Sequence, residues 1–165
     1  NTNEEKSFNH LRVGAGYITP IGTNNKTEFR AEVSAQMGSK EVVGSELFFL
    51  GSENFLRGYK PGYFVGESGY MGTFEIAHSY DSPISGIQRV TPYIFTDYGM
   101  VFNDNQNVNS TSREKEQEAY SIGLGTKVYI KNNFYVEAWV AKPLTNDYNN
   151  DDINPSAYVQ LQYSW

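Results

Sequence analysis

Ala119-Tyr-Ser-Ile-Gly-Leu-Gly-Thr-Lys-Val-Tyr-Ile130 alternates with a period of two. Tyr120, Ile122, Leu124, Thr126, Val128 and Ile130 share one face, and Ser121, Gly123, Gly125 and Lys127 the other. Successive side chains of an extended strand point to opposite sides, so the pattern specifies a strand with one apolar and one polar or small-residue face. Residues 27–37 repeat it, with Phe29, Ala31, Val33, Ala35 and Met37 against Glu28, Arg30, Glu32, Ser34 and Gln36. Residues 10–18 oppose Leu11, Val13, Ala15 and Tyr17 to His10, Arg12, Gly14 and Gly16. Residues 134–141 set Phe134, Val136, Ala138 and Val140 against Glu137 and Trp139. Further strands are expected near 67–78, 88–99 and 156–165, about seven in all, and a helical period is absent throughout.

The 165 residues suffice for one domain. Thirteen basic side chains face 19 acidic ones, a net charge of −6, and there is no basic run to track a phosphate backbone, which argues against nucleic acid. With no cysteine there is neither a disulfide framework nor a thiolate metal site. Thirteen Tyr, ten Phe and two Trp make the chain aromatic while its mean hydropathy is only −0.55. Apolar runs reach about four residues, as in Leu47–Leu50, whereas a membrane-spanning helix needs about twenty. A membrane β-barrel stays open, because strands that alternate apolar-out and polar-in average to a hydrophilic sequence. Asn1 opens the chain without Met or signal peptide, so a piece of a longer polypeptide is expected.

Connection lengths also alternate. Residues 19–26, 79–87 and 131–133 are short and turn-like, while 38–66, 100–117 and 143–155 are long and polar. Tight turns at one end and long loops at the other is the asymmetry of outer-membrane barrels. A soluble β-sandwich binding domain shares the periodicity and is the alternative of another class. Ala157, Val159, Leu161, Tyr163 and Trp165 alternate up to the last residue, opposite Tyr158, Gln160, Gln162 and Ser164, where soluble domains usually end in a frayed polar tail. The fold class expected is therefore all-β, an antiparallel transmembrane β-barrel. Tyr17, Tyr70, Tyr98, Tyr163 and Trp165 near strand ends suit both cross-strand packing and an interfacial aromatic girdle.

Residues 53–75 place a single arginine, Arg57, in a glycine-rich loop that opens into a strand carrying a single acid, Glu75. Phe95-Thr-Asp97-Tyr-Gly99 puts another lone acid into an aromatic strand. A charge on the lipid face of a barrel costs up to about 2–4 kcal/mol at the midplane, so both acids are expected to face inward. Parity agrees: Tyr93, Phe95 and Asp97 share a face, as do Thr73, Glu75 and Ala77. Two inward acids on neighbouring strands repel unless a cation stands between them, and one guanidinium can donate to both. The plainer reading of Arg57 is an exposed loop cation. His10 and His78 are the only histidines, and neither has the neighbours of a catalytic base, so no enzyme is read. Asn146-Asp-Tyr-Asn-Asn-Asp-Asp152 lacks the spaced glycine and closing glutamate of a calcium loop and reads as a solvated loop, as does Arg113–Glu118.

Five motifs in order resemble the C-terminal half of the two-partner secretion transporters, the haemolysin secretion/activation family, from about residue 7 onward. Leu56-Arg57-Gly58-Tyr59 is similar to the (Val/Ile)-Arg-Gly-(Phe/Tyr) of a lumenal extracellular loop shared with barrel-assembly proteins. Gly72-Thr-Phe-Glu75 resembles the Gly-x-x-Glu of the next strand, and Phe95-Thr-Asp97-Tyr-Gly99 the Phe-x-Asp-x-Gly of the one after. Ala141-Lys-Pro-Leu144 and the terminal aromatic resemble the penultimate and last strands. Leu56 departs from the usual β-branched residue, Gly51-Ser52 from a Gly-Gly pair, and Trp165 from Phe.

The resemblance implies a sixteen-stranded barrel in the bacterial outer membrane, of which residues 1–165 are the last seven strands. The first strands, the plug helix and the periplasmic domains would lie elsewhere. It implies protein translocation of a haemolysin- or adhesin-type exoprotein, with no cofactor. Partners are that exoprotein, the rest of the barrel and outer-membrane lipid, and not nucleic acid. It further implies that Arg57 holds the loop on Asp97 and Glu75, and that Tyr163 and Trp165 carry a C-terminal assembly signal. An assembly insertase of the same superfamily is the alternative.

Overall fold

Neighbouring alternating segments joined by short turns pair antiparallel, because a turn returns the chain beside itself in register. The computed structural model describes residues 10–38, 47–52, 54–103, 116–131, 133–145 and 154–164. Its strands are β1 (His10–Ile21), β2 (Thr27–Gly38), β3 (Phe48–Leu50), β4 (Phe64–Gly66), β5 (Ser68–His78), β6 (Tyr80–Asp81), β7 (Ile87–Phe102), β8 (Glu116–Ile130), β9 (Phe134–Pro143) and β10 (Ser156–Tyr163). One antiparallel sheet runs β1-β2-β5-β7-β8-β9-β10, with β6 pairing to β7, and β3 and β4 form a separate hairpin. Trp165, Glu53, residues 45 and 46, Asn146–Asp152, Arg113–Lys115 and the side chain of His10 lie outside the described set.

The outer face is the apolar one. Leu11, Val13, Val33, Met37, Ile94, Ile122, Leu124, Val159 and Leu161 are all exposed, Leu124 at 63%. In water such a continuous apolar face would be covered; on the outside of a barrel it meets lipid. The inner face is buried and polar, with Gln36, Glu75, Asp97, Ser121 and Lys127 on it. Tyr70, Tyr98 and Tyr120 cluster on the outer surface, with Tyr98 and Tyr120 centroids 4.7 Å apart and the Tyr70 and Tyr98 hydroxyls 3.1 Å apart. Tyr163 packs on Phe134 at 5.0 Å. These contacts combine cross-strand packing with a position on the lipid-facing side.

The sheet curls. Gly16 of β1 and Gln160 of β10, at opposite edges of the strand order, line one cavity of about 470 Å³ on the inner side. Among the described residues, β1 and β10 each pair on one edge only.

Two expectations need correction. Strands β7 and β8 outrun the apolar alternation, pairing as far as Phe102 with Glu116. Backbone pairing continues wherever partners stay in register, but the outward apolar signal fades where an arm leaves the lipid. The connection 38–66, read as long and polar, is in its described part a folded apolar element. Phe48, Leu50, Leu56, Tyr59 and Phe64 are buried with Val101 of β7 and Ala119 of β8.

Spin labels placed singly along β8 would report the face assignment in membranes. Labels at 122, 124 and 128 should be relaxed by a lipid-soluble quencher and those at 121, 123 and 127 by a water-soluble one. Equal accessibility of the two sets would refute the barrel wall.

Candidate functional site on the inner face

Register aligns the inward residues into rows across the sheet. Thr73 pairs with Asp97 and Asp97 with Ser121; one step along, Glu75 pairs with Phe95 and Phe95 with Gly123. Further along, Tyr93 faces Gly125, and Lys127 faces Glu137. Strand parity and register together thus bring two acids of adjacent strands to one place, and the loop supplies the cation.

The loop first makes its own shape. The Ser52 hydroxyl accepts the backbone N–H groups of Asn54 and Phe55 at 3.3 and 3.1 Å, two bonds that the more usual glycine could not make. Gly51, at φ 89°, lies where a Cβ would strike the Lys60 carbonyl. Leu56 sits at φ 54°, a region that penalises β-branched residues more than leucine, which suits the departure from the family pattern there.

The tip, Leu56–Tyr59, then reaches five strands, β5 through Arg57 and β7 to β10 through its other contacts. Gly99 of β7 leaves the space that Leu56 and Leu50 fill; a Cβ there would stand 2.7 Å from Leu56 Cδ1. A Cβ on Gly58 would come within 2.9 Å of the Pro143 nitrogen, so only glycine lets the tip lie flat on β8 and β9. The Tyr59 hydroxyl donates to the Tyr120 carbonyl at 2.9 Å and accepts the Thr145 N–H at 3.2 Å. The Ser156 hydroxyl donates to the Gly58 carbonyl at 3.3 Å.

Arg57 is 6% exposed and Asp97 fully buried. The Arg57 backbone N–H and Nε donate to Asp97 Oδ2 at 2.9 and 3.2 Å, and Nη2 to Oδ1 at 2.9 Å. Nη2 also donates to Thr73 Oγ1 at 2.8 Å, and that hydroxyl in turn donates a hydrogen bond to Asp97 Oδ1 at 2.7 Å. Ser121 Oγ donates to Oδ2 at 3.1 Å. The guanidinium lies 3.3 Å over the Phe95 ring. A buried carboxylate is tolerable when its lone pairs are filled and a bidentate cation faces it, and both conditions hold here.

Glu75 is less engaged with the loop. Its Oε2 is 3.5 Å from Arg57 Nη1, while its Oε1 accepts from Lys127 Nζ at 2.7 Å. Lys127 lies 4.5 Å over the Tyr93 ring and 3.9 Å from Glu137 Oε1, which accepts the Tyr93 hydroxyl at 2.6 Å. Tyr135 donates to the other Glu137 oxygen.

Arg57, Asp97, Glu75 and Phe95 therefore meet, with Leu56, Gly58, Tyr59 and Gly99 fitting the loop to the wall. Gly72 does not join them: it faces outward, beside Val33, and its numbering offset of three from Glu75 already requires opposite faces in a strand. Sequence reasoning overlooked Thr73, Ser121, Lys127 and Glu137 as members, although each has inward parity. His78 stands apart, with its Nδ1 2.7 Å from Thr27 Oγ1 and its ring against Tyr80. Tyr163 lies far along β10, on the outer face.

An apolar outer face, a polar inner face and a loop clamped inside define this chain as part of the wall of an outer-membrane β-barrel. Residues 1–128 match the family of the haemolysin secretion/activation proteins ShlB/FhaC/HecB, and the chain belongs to that family. It is 24% identical over 125 residues to the heme/hemopexin transporter protein HuxB of Haemophilus influenzae, covering 75% of this chain and 22% of the relative. CdiB from Acinetobacter baumannii shares the fold, with a TM-score of 0.62, 24% identity and coverage of 82% of this chain and 24% of that one. The chain thus spans about a fifth of the length of the curated relatives it matches. Members of the family are transporters of the outer membrane, and that is the location of this chain.

Proposed function

We propose that the chain forms the C-terminal part of the pore through which a large exoprotein of haemolysin or adhesin type crosses the outer membrane. Residues 1–165 are then a portion of a longer, sixteen-stranded barrel, and the missing strands complete the edges of β1 and β10. The reading rests chiefly on the Leu56–Tyr59 tip, held by Asp97 inside the wall in a chain of this family. Arg57, Asp97 and Glu75 perform no bond chemistry; they fix the loop that shapes the lumen, and no cofactor enters. Gly72, Phe95 and Gly99 support the strands around that loop, and Tyr163 with Trp165 forms the C-terminal signal read by assembly factors.

Deleting the complete gene tests the reading. One particular large protein should vanish from the medium and appear in the periplasm, with other outer-membrane barrels at normal levels. A general fall of those barrels would instead favour the insertase, and no change in either would remove both.

A further inference from the structure

Glu75 touches two cations that differ in kind. Arg57 comes with the loop and stands at 3.5 Å, whereas Lys127 comes with the wall and stands at 2.7 Å. Yet β7 lies between β5, which carries Glu75, and β8, which carries Lys127. The reach is possible because the Phe95 and Tyr93 rings lie down over Gly123 and Gly125 of β8, and the Lys127 ammonium passes over the Tyr93 ring, 4.5 Å from its centroid. Arg30 is the direct cross-strand partner of Glu75, but its Nη2 pairs with Glu28 at 2.8 Å. The nearest compensation for Glu75 that does not depend on the loop is therefore Lys127.

We infer that Lys127 is a positioning residue of the loop clamp: it holds Glu75 on the wall so that Arg57 is committed to Asp97. The direct ion pairs join Asp97, Glu75 and Glu137 to Arg57 and Lys127, three carboxylates to two cations, beside Arg30, whose Nη2 is held by Glu28. Without Lys127, Arg57 is left as the cation paired with both Glu75 and Asp97. Glu75 then competes with Asp97 for Arg57, and the fork that fixes the tip is drawn out of its bidentate geometry. The inference rests on the reading of the loop as a working part of the transporter.

The test uses the complete outer-membrane protein with a single cysteine at Phe55, a loop position beside the tip that is buried while the loop is seated. Maleimide labelling reports loop release, and the exoprotein in the medium reports transport. Lys127→Met should raise the labelling rate about tenfold and lower secretion, the scale of a coupled pair. Lys127→Arg should recover most of both. Adding Glu75→Gln to Lys127→Met should return labelling near that of Glu75→Gln alone, which a merely space-filling role of the lysine stem would not do. Wild-type labelling in Lys127→Met, or no relief from Glu75→Gln, overturns the inference. If Lys127→Met yields no heat-modifiable barrel, recovery of that band by Glu75→Gln supports it, and loss in both variants overturns it. If Arg57→Ala itself changes neither labelling nor secretion, the reading of the loop fails instead.

Discussion

Arg57→Ala should leave a substantial heat-modifiable barrel in the outer membrane while abolishing most secretion. Removing the guanidinium strips Asp97 of the one cation paired with it among the described residues, along with the two side-chain bonds from Nε and Nη2. Thr73, Ser121 and the backbone N–H of residue 57 remain, but an uncompensated buried carboxylate costs about 3–5 kcal/mol. The cost falls on the docked loop and not on the sheet, whose seven strands pair through their backbones whether or not the loop is seated. Loop release is the cheapest relief, since it lets water reach Asp97. Secretion assayed beside folded barrel on the same membranes separates the two effects. Full secretion by Arg57→Ala would show that the clamp has no part in transport.

The two acids should respond unequally. Asp97 accepts five hydrogen bonds, three from Arg57 and one each from Thr73 and Ser121. An asparagine there turns an NH2 toward groups that are themselves donors, whichever way the amide is flipped. Asp97→Asn should therefore cost about 3–5 kcal/mol and approach Arg57→Ala in its effect on secretion. Glu75→Gln keeps an amide oxygen for Lys127 and gives up a contact of 3.5 Å to Arg57, so about 1–3 kcal/mol is expected. Secretion and loop labelling of the two variants side by side decide the order. A Glu75 variant as damaging as the Asp97 variant would place the loop's anchor on both strands equally.

Period two along the sequence was enough for the seven long strands and their faces, because a pleated strand allows only two directions for a side chain. It also placed Arg57 on a loop and turned Asp97 and Glu75 to one side, since charges in single-file alternation with apolar residues cannot share the lipid face. Membership of the cluster was another matter. Lys127 and Glu75 are 52 residues apart and stand on strands that are not neighbours, so only the register and curl of the assembled sheet bring Nζ to Oε1. Residues 47–66 carry no sustained alternation, and what they bury against is set by space left on other strands, at Gly99 beneath Leu56 and along β8 and β9 beneath Gly58. Local sequence fixes which way a side chain points within its own strand; which side chains then meet depends on how strands are aligned beside each other, and that is a property of the folded sheet.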